Sequence, residues 1–409
     1  MGVVLYTIGQ PLPDPSINVQ AAEAVTQQAI GTDSLRILHV VTLVDDRSSY
    51  GGPLTVAVNQ CNELRRRGHD ARILAGWAGK GRAPTSIEGV PAHLFRVRSF
   101  VPGTRFSGLL SMKMLNWLRC NAKTFDVAHL HTARDLVPLS AGQLLRFSRV
   151  RYTTQTHGMV LPDGRRSAKI IDRLLTLRVL RNAVARFVLT DVETAALADL
   201  LGAHSLTIQL PNGITVQESP RTPTQPPDVL FMARLHPRKH VLDFALAALT
   251  LIKEGHDVRF SVVGPDEGDL PALQGFIGLN PLLDGRLHYE GPMAHGDAMP
   301  RLRRASMFVL PSVDEPFPMT LLEALAVGTP AICTTSCGVA KDLQASNAAM
   351  VIAPGAEPLV VALRLLIEDP ALQLSLSLAG QQAARAGYSM HAVGNRLLAA
   401  YTQTARVAR

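Results

Sequence analysis

"LRILHVV" at residues 35–41 and "ARILAG" at 71–76 flank "GGPLTVAVNQCNELRRRGHD" at 51–70, and this unit decides the fold. The first run is short, apolar and rich in β-branched residues, as expected of a strand buried on both faces of a parallel sheet. In the middle stretch Leu54, Val58, Cys61 and Leu64 fall on one helical face. Three arginines and then Gly68 close that helix, cations suiting its carbonyl end and glycine its exit. Strand, helix and strand in this order make a βαβ unit, the opening of a doubly wound α/β domain.

Outward from this unit the alternation continues. Strands are expected at 126–131, 151–157, 186–190 and 206–212, giving a first domain over residues 35–215. Before it, residues 1–34 hold Pro11, Pro13 and Pro15 without any sustained period, and read as an extension with little regular structure. After it, "VQESPRTPTQPPD" at 216–228 has four prolines in thirteen residues and reads as a linker. The alternation then restarts with "VLFMARL" at 229–235, a helix from about 239 to 254, "VRFSVVG" at 258–264, "RLHYEG" at 286–291, "MFVLPS" at 307–312 and "PAICT" at 330–334, a second domain over residues 229–389. Two such domains leave a cleft, and ligands of parallel sheets bind at the carboxyl ends of the strands.

Composition narrows the function. The chain has 409 residues, enough for two domains with cores of their own, and its 47% apolar and 18% charged residues describe a folded globular protein. Its net charge of +8 is uneven: residues 1–220 carry 25 Lys and Arg against 16 Asp and Glu, and the remainder 16 against 17. A basic first half attracts anionic headgroups or an acidic acceptor. No nucleic-acid partner is expected, because only 5% of residues are aromatic and no binding motif of that class is present. Four dispersed cysteines, Cys61, Cys120, Cys333 and Cys337, indicate a reducing compartment; Cys333 and Cys337 lack zinc-site spacing and read as small buried residues. No apolar run is long enough to span a membrane, and the first 30 residues lack a basic leader segment, so the expected location is cytoplasmic, at most resting on a membrane surface.

The dinucleotide fingerprint is absent, and "GKGR" at 79–82 lacks the Ser or Thr of a phosphate loop, which disfavours hydride transfer and P-loop chemistry. Asp45 and Asp46 read as turn residues, with metal binding as the alternative. More telling is "DEPFPMTLLEALAVGTP" at 314–330. On one helix Glu315 and Glu323 would be about 80° and roughly 12 Å apart, whereas a retaining glycosidase pair needs about 5–5.5 Å. Pro316 and Pro318 break such a helix in any case. Glu315 therefore belongs to a loop, and Glu323 to a helix starting near Pro318, whose first amides, those of Met319 and Thr320, are free to meet an anion. "FMARLHPRKH" at 231–240 adds Arg234 at a strand end and Arg238 and Lys239 at a helix start. There a cation opposes the helix dipole by about 0.3–1 kcal/mol; a bound diphosphate explains the placement.

"ARLHPRK" followed by "EPFPMTLLEALAVGTP", with "VVGPDEG" (262–268) and "YEGPM" (289–293) between them, resembles the C-terminal domain of the retaining GT-B glycosyltransferases of family 4. Upstream, "GGP" (51–53), "DVAHLH" (126–131), "TTQTHG" (153–158) and "LPNGI" (210–214) are similar to that family's N-terminal landmarks, in the same order. The resemblance covers residues 35 to about 400. It implies that Arg234 and Lys239 hold the diphosphate of a nucleotide sugar, that Glu323 accepts from the ribose and Glu315 from the donor sugar, and that His157 lies beside the transferred sugar. Gly51 and Gly52 would approach the phosphates, Gly264 and the turn Gly291, Pro292, Met293 would border the nucleotide, and Pro318, Met319 and Thr320 would open the anion site. A helix at about 390–409 would cross back to the first domain. His129 and His131 share a strand face; packing is favoured for His129, and His131 stands open between packing and acceptor contact. Departures are Pro318 and His240 where the family usually has glycine, and Cys337-Gly338 and Lys341-Asp342 where it has Gly-Gly and Glu.

The expectation is transfer of a sugar from a UDP- or GDP-linked donor to the hydroxyl of a glycan, glycolipid or small molecule, with retention, no metal and no other cofactor. The setting would be bacterial polysaccharide or glycolipid assembly, with peripheral contact to an anionic membrane. Its rivals are a nucleotide-sugar epimerase of the same fold and a non-catalytic nucleotide-sugar or glycan-binding subunit.

Overall fold

The computed structural model describes residues 34–406 apart from 47–50, 102, 103, 105, 149, 203–205, 217 and 218. All but the last residue of the expected extension lies outside the described residues. Strands β1 (Arg36–Val44), β2 (Asp70–Trp77), β3 (Ser86–Ile87), β4 (Val90–Arg96), a small ribbon of β5 (Arg98–Ser99) with β6 (Leu109–Leu110), then β7 (Val127–His131), β8 (Tyr152–Gln155), β9 (Arg186–Val188) and β10 (Thr207–Gln209) belong to the first domain. Its main sheet has the order β10-β9-β8-β7-β1-β2-β4-β3, parallel except for β3. In the second domain β11 (Asp228–Met232), β12 (Arg259–Val263), β13 (Leu287–Gly291), β14 (Met307–Leu310), β15 (Ala331–Thr334) and β16 (Met350–Ile352) form a parallel sheet ordered β13-β12-β11-β14-β15-β16. These are two doubly wound sheets, the GT-B arrangement that the resemblance implies.

The order of strands reverses between β1 and β7 in one sheet and between β11 and β14 in the other. Adjacent loops leave in opposite directions at such a point and open a crevice there. Strands β7 and β11 are buried along their whole length, as central strands covered on both faces must be. The first helix, Gly51–Arg66, buries Leu54, Val58, Cys61 and Leu64 as its periodicity predicts, and Cys333 and Cys337 are buried in the second core.

The final helix, Met390–Arg406, does cross back. Ile214 donates its amide to Tyr388 O at 2.8 Å and Met390 donates to Ile214 O at 3.0 Å, so both crossings of the chain run side by side. Val393, Leu397 and Tyr401 enter the first domain's core, each fully buried apolar side chain contributing roughly 1.5–3 kcal/mol. Arg67 ties the helix further, donating to Asn395 Oδ1 at 2.6 Å and to His391 O at 2.7 Å.

Two expected elements differ. The strand expected at 151–157 ends at Gln155, and His157 stands beyond it with φ +52°. The helix expected from about 239 begins at Val241; Pro237–Lys239 form a separate 3₁₀ turn in which His236 Nδ1 accepts the amide of Arg238 at 3.1 Å. His240, with φ +54°, joins the turn to the helix. That left-handed conformation is why glycine is usual there. Arg238 and Lys239 thus precede the α-helix rather than occupying its first turn.

Candidate active site

Two loops meet at the β11/β14 switch point, where Val313 donates its amide to Arg238 O at 2.8 Å. The loop after β11 delivers Lys239 and the loop after β14 delivers Glu315, and Lys239 Nζ donates to Glu315 Oε2. Both side chains are only 11% exposed. Desolvating two charges costs energy that their attraction offsets only while both are present. The backbone of Glu315 is held too, its carbonyl accepting from Gly338 N at 2.8 Å. A Cβ on Gly338 would lie 2.0 Å from Pro316 O, so only glycine fits.

Beside this pair starts the helix Met319–Ala326. Pro318 is its buried N-cap, and the first intrahelical bond recorded there runs from Leu322 N to Pro318 O at 3.2 Å. The amides of Met319 and Thr320 precede any intrahelical acceptor, as the prolines predict. Glu323 is half-buried one turn further on. Arg234 is more open: its guanidinium donates to both Glu267 oxygens at 2.9 Å and is 58% exposed. Gly264 has a packing reason of its own, since a Cβ there would sit 1.9 Å from Ala233 O. Its amide donates to Gly291 O at 3.0 Å, so the turn of Gly291, Pro292 and Met293 abuts the loop after β12.

Across the cleft, the loop after β8 is pinned by a residue that the sequence reading missed. Glu193 is 1% exposed. Its carboxylate accepts from Thr156 Oγ1, from Gly158 N at 2.6 Å and from Leu189 N at 2.7 Å. The pattern Thr190-x-x-Glu193 is a capping-box signature, and Thr190 does cap the helix Asp191–Leu201. The glutamate has nevertheless turned away from the cap to hold another strand's loop, which no local pattern reveals.

His157 Nε2 lies 2.9 Å from His131 Nδ1, and His131 Nε2 lies 3.0 Å from His39 Nδ1. Burial holds the His157 imidazole down to about 4, opposed by the Asn212 side chain, and burial takes His39 to about 3. His131 is 1% exposed, its ring nitrogens meeting His39 and His157 and its face stacking on His129 at 4.6 Å, an arrangement that favours the packing alternative. His129 is fully buried and stacked on Phe187 at 5.2 Å, as the packing reading expects.

A cavity of about 310 Å³ opens at the β1/β7 switch point, lined by Thr42, Gly52, Leu54, Phe106, Asp135 and Met159 among others. Gly52 faces open space, with nothing within 4 Å of its Cβ position. Asp135, also missed from sequence, is 1% exposed and accepts from Thr42 Oγ1 and from Ala133 N at 3.1 Å. Burial pushes its carboxyl up to about 6 against those hydrogen bonds. Asp46 stands in the turn after β1 and accepts the amide of Lys80, from the loop after β2, at 2.6 Å.

The model for glycosyl transferases group 1 matches residues 215–383, the half that carries Lys239 and Glu315, and that for a glycosyl transferase 4-like domain matches residues 51–213, the half that carries His157. The chain belongs to the group 1, family 4 glycosyltransferases. Among solved structures, HepE of Anabaena in complex with UDP superposes with a TM-score of 0.65 at 15% identity, covering 89% of this chain and 99% of that one. Such a likeness supports the GT-B fold. Among curated relatives, alpha-D-kanosaminyltransferase of Streptomyces kanamyceticus is 28% identical over 178 residues, 43% of this chain and 46% of the relative. Phosphatidyl-myo-inositol mannosyltransferase of Mycobacterium leprae is 22% identical over 373 residues, 87% of this chain and 94% of the relative. The chain thus spans about half the length of the first relative and nearly all of the second.

Proposed function

We propose that the protein transfers a sugar from a UDP- or GDP-linked donor to an acceptor hydroxyl, with retention and without a metal. The observation that carries this reading is the enclosed Lys239–Glu315 pair at the β11/β14 switch point, beside the free amides of Met319 and Thr320. A diphosphate placed there meets the Lys239 ammonium and the helix start, and draws Arg234 from Glu267. These groups neutralise charge as the nucleoside diphosphate leaves. Glu315 accepts from the donor sugar, Glu323 from the ribose, and His157 stands at the sugar from the opposite domain. The bond from the anomeric carbon to the diphosphate oxygen breaks as the acceptor oxygen bonds on the same face. The acceptor's proton passes to the departing phosphate oxygen.

A thermal-shift screen of UDP, GDP and their sugar conjugates, followed by analysis of the product with the best donor, tests the reading. A genuine donor at 100 times its Kd stabilises by about 2.7 kcal/mol and yields an axial or equatorial glycoside matching the donor's own anomer. An epimerised free sugar would make the protein an epimerase, and stabilisation by none of the conjugates would make it a binding subunit for some other ligand. Loss of turnover on chelation, restored by Mg²⁺, would overturn the metal-free step.

The acceptor side is proposed to rest on an anionic membrane, with a glycolipid or lipid-linked glycan as acceptor. Residues 166–182 run as one helical stretch whose exposed face shows Lys169, Ile170, Arg173, Leu174, Arg178 and Arg181. Its one acid, Asp172, is turned inward to Arg134 at 2.9 Å. Arg134 also donates to Leu161 O at 2.6 Å, and its neighbour Ala133 lines the first domain's cavity, so this face adjoins the cavity's wall. Cations near such a surface contribute about 1 kcal/mol each. Co-sedimentation is expected with phosphatidylglycerol vesicles and not with phosphatidylcholine alone. Arg173→Gln, Arg178→Gln and Arg181→Gln together should weaken it roughly 100-fold; equal binding to both vesicle types would remove the membrane reading.

A further inference from the structure

A second crevice, of about 290 Å³, opens where the chain crosses between the domains. Its walls come from three parts of the fold. Leu189 and Pro211 belong to the first domain, Phe317, Val339 and Leu343 to the second, and Tyr388 and Arg396 to the segment that returns from one to the other. Tyr388 is also the residue whose carbonyl accepts the Ile214 amide at the crossing, so the hinge itself forms one side. Small-molecule sites favour such domain interfaces, and this volume suits a compact ligand.

Arg396 is the anomaly here. It is half-buried on the final helix and forms no hydrogen bond or ion pair with any described residue. Burial draws its guanidinium pKa down, opposed by Tyr388 and Asp342. A cation taken out of water is normally paired, and Arg301 shows the ordinary case, held by Asp228 at 2.8 Å and by Glu290 at 2.7 Å. Asp342, on the short helix Ala340–Ala345, lines the same crevice without reaching Arg396. Its Oδ2 accepts only a long bond from Tyr388 Oη at 3.4 Å.

These groups define a ligand. The planar fork of a guanidinium matches a carboxylate. One cation balances one negative charge, and the second charge of a phosphate would face Asp342. Asp342 in turn calls for a hydrogen-bond donor, an ammonium or a hydroxyl. The apolar walls take a hydrocarbon body.

We propose that the crevice is an effector site for a small amino or hydroxy acid with an apolar side chain, its carboxylate on Arg396 and its ammonium or hydroxyl on Asp342. Such an occupant touches both domains at once. Phe317 stands two residues after Glu315, and Val339 follows Gly338, whose amide holds the Glu315 carbonyl. Binding is thereby felt at the donor loops, and by linkage the acid and a nucleoside diphosphate change each other's affinity by the same factor. The site stands without the proposed function; only this coupling rests on it.

Thermal shift of the full-length protein with L-leucine and with its 2-hydroxy analogue tests the site. Both are expected to raise the unfolding midpoint. Leucinol, which lacks the carboxylate, and 4-methylpentanoate, which lacks the donor, should each bind about tenfold more weakly. Arg396→Met should abolish the shift by both acids while leaving the unliganded midpoint unchanged or higher, because no partner is stranded. Asp342→Asn, on the exposed rim, should weaken L-leucine about tenfold. No shift with either acid, an equal shift in Arg396→Met, or an equal shift with inorganic phosphate overturns the site. So does a lowered midpoint in unliganded Arg396→Met, which would show that the guanidinium already has a partner. With the acid bound, the Kd of UDP or GDP, whichever binds in the donor screen, should change about fivefold. A Kd that does not change overturns the effector role and leaves the donor reading in place; binding of the acid but of neither nucleotide removes the donor reading and not the site.

Discussion

Lys239→Ala is expected to lower kcat by roughly 10³-fold, the loss seen when a fixed charge-stabilising group is removed from a transition state. Lys239 is enclosed at the β11/β14 switch point, whereas Arg234, which the diphosphate would draw from Glu267, stands on a more open rim where solvent screens its charge. The same substitution leaves the Glu315 carboxylate enclosed without its ammonium, and breaking such a pair costs about 3–5 kcal/mol of stability. The two effects separate in a double variant. Lys239→Ala with Glu315→Gln removes the stranded charge, so chemical denaturation should show most of the stability restored while nucleoside diphosphate release stays lost. Wild-type turnover in Lys239→Ala would falsify the donor-site assignment.

Glu193→Ala should be nearly as damaging, by a different route. The carboxylate accepts from a hydroxyl and two amides on two separate loops, and its removal leaves Gly158 N and Leu189 N without an acceptor. Each unsatisfied buried amide costs about 1–3 kcal/mol, so a loss of roughly 3–5 kcal/mol is expected in denaturant unfolding. The loop of Thr156, His157 and Gly158 also loses the anchor that sustains φ +52° at His157. A displacement of about 1 Å at such a group costs on the order of 10²-fold in rate. Glu193→Gln keeps one accepting oxygen and should recover less than half of the stability. An unfolding midpoint unchanged in Glu193→Ala would show that other groups hold this loop.

How much of this was legible beforehand differs from residue to residue. The alternation of strands and helices, the linker and the helix start after Pro318 are written in local patterns. A period of 3.6, a buried β-branched run, a proline and a glycine each act over a few residues. The basic segment and the two glutamates were legible as candidates for the same reason. Glu193 was visible only as part of a cap, and Asp135 only as a residue after a strand, because neither shows in sequence which distant amides or hydroxyls it will meet. Gly264 invited a nucleotide role, yet its first obligation is the approach of the Ala233 carbonyl.

The sequence by itself determined two doubly wound domains, the order of their elements and the residue types available at the strand ends. Only the tertiary structure decided that Lys239 pairs with Glu315, that His131 packs between His39 and His157, and that Tyr401 reaches His39. Those contacts join residues 26 to 362 positions apart. They depend on the strand order at β1/β7 and β11/β14 and on the helix that returns across both domains, and strand order is set by the packing of whole faces rather than by any short pattern.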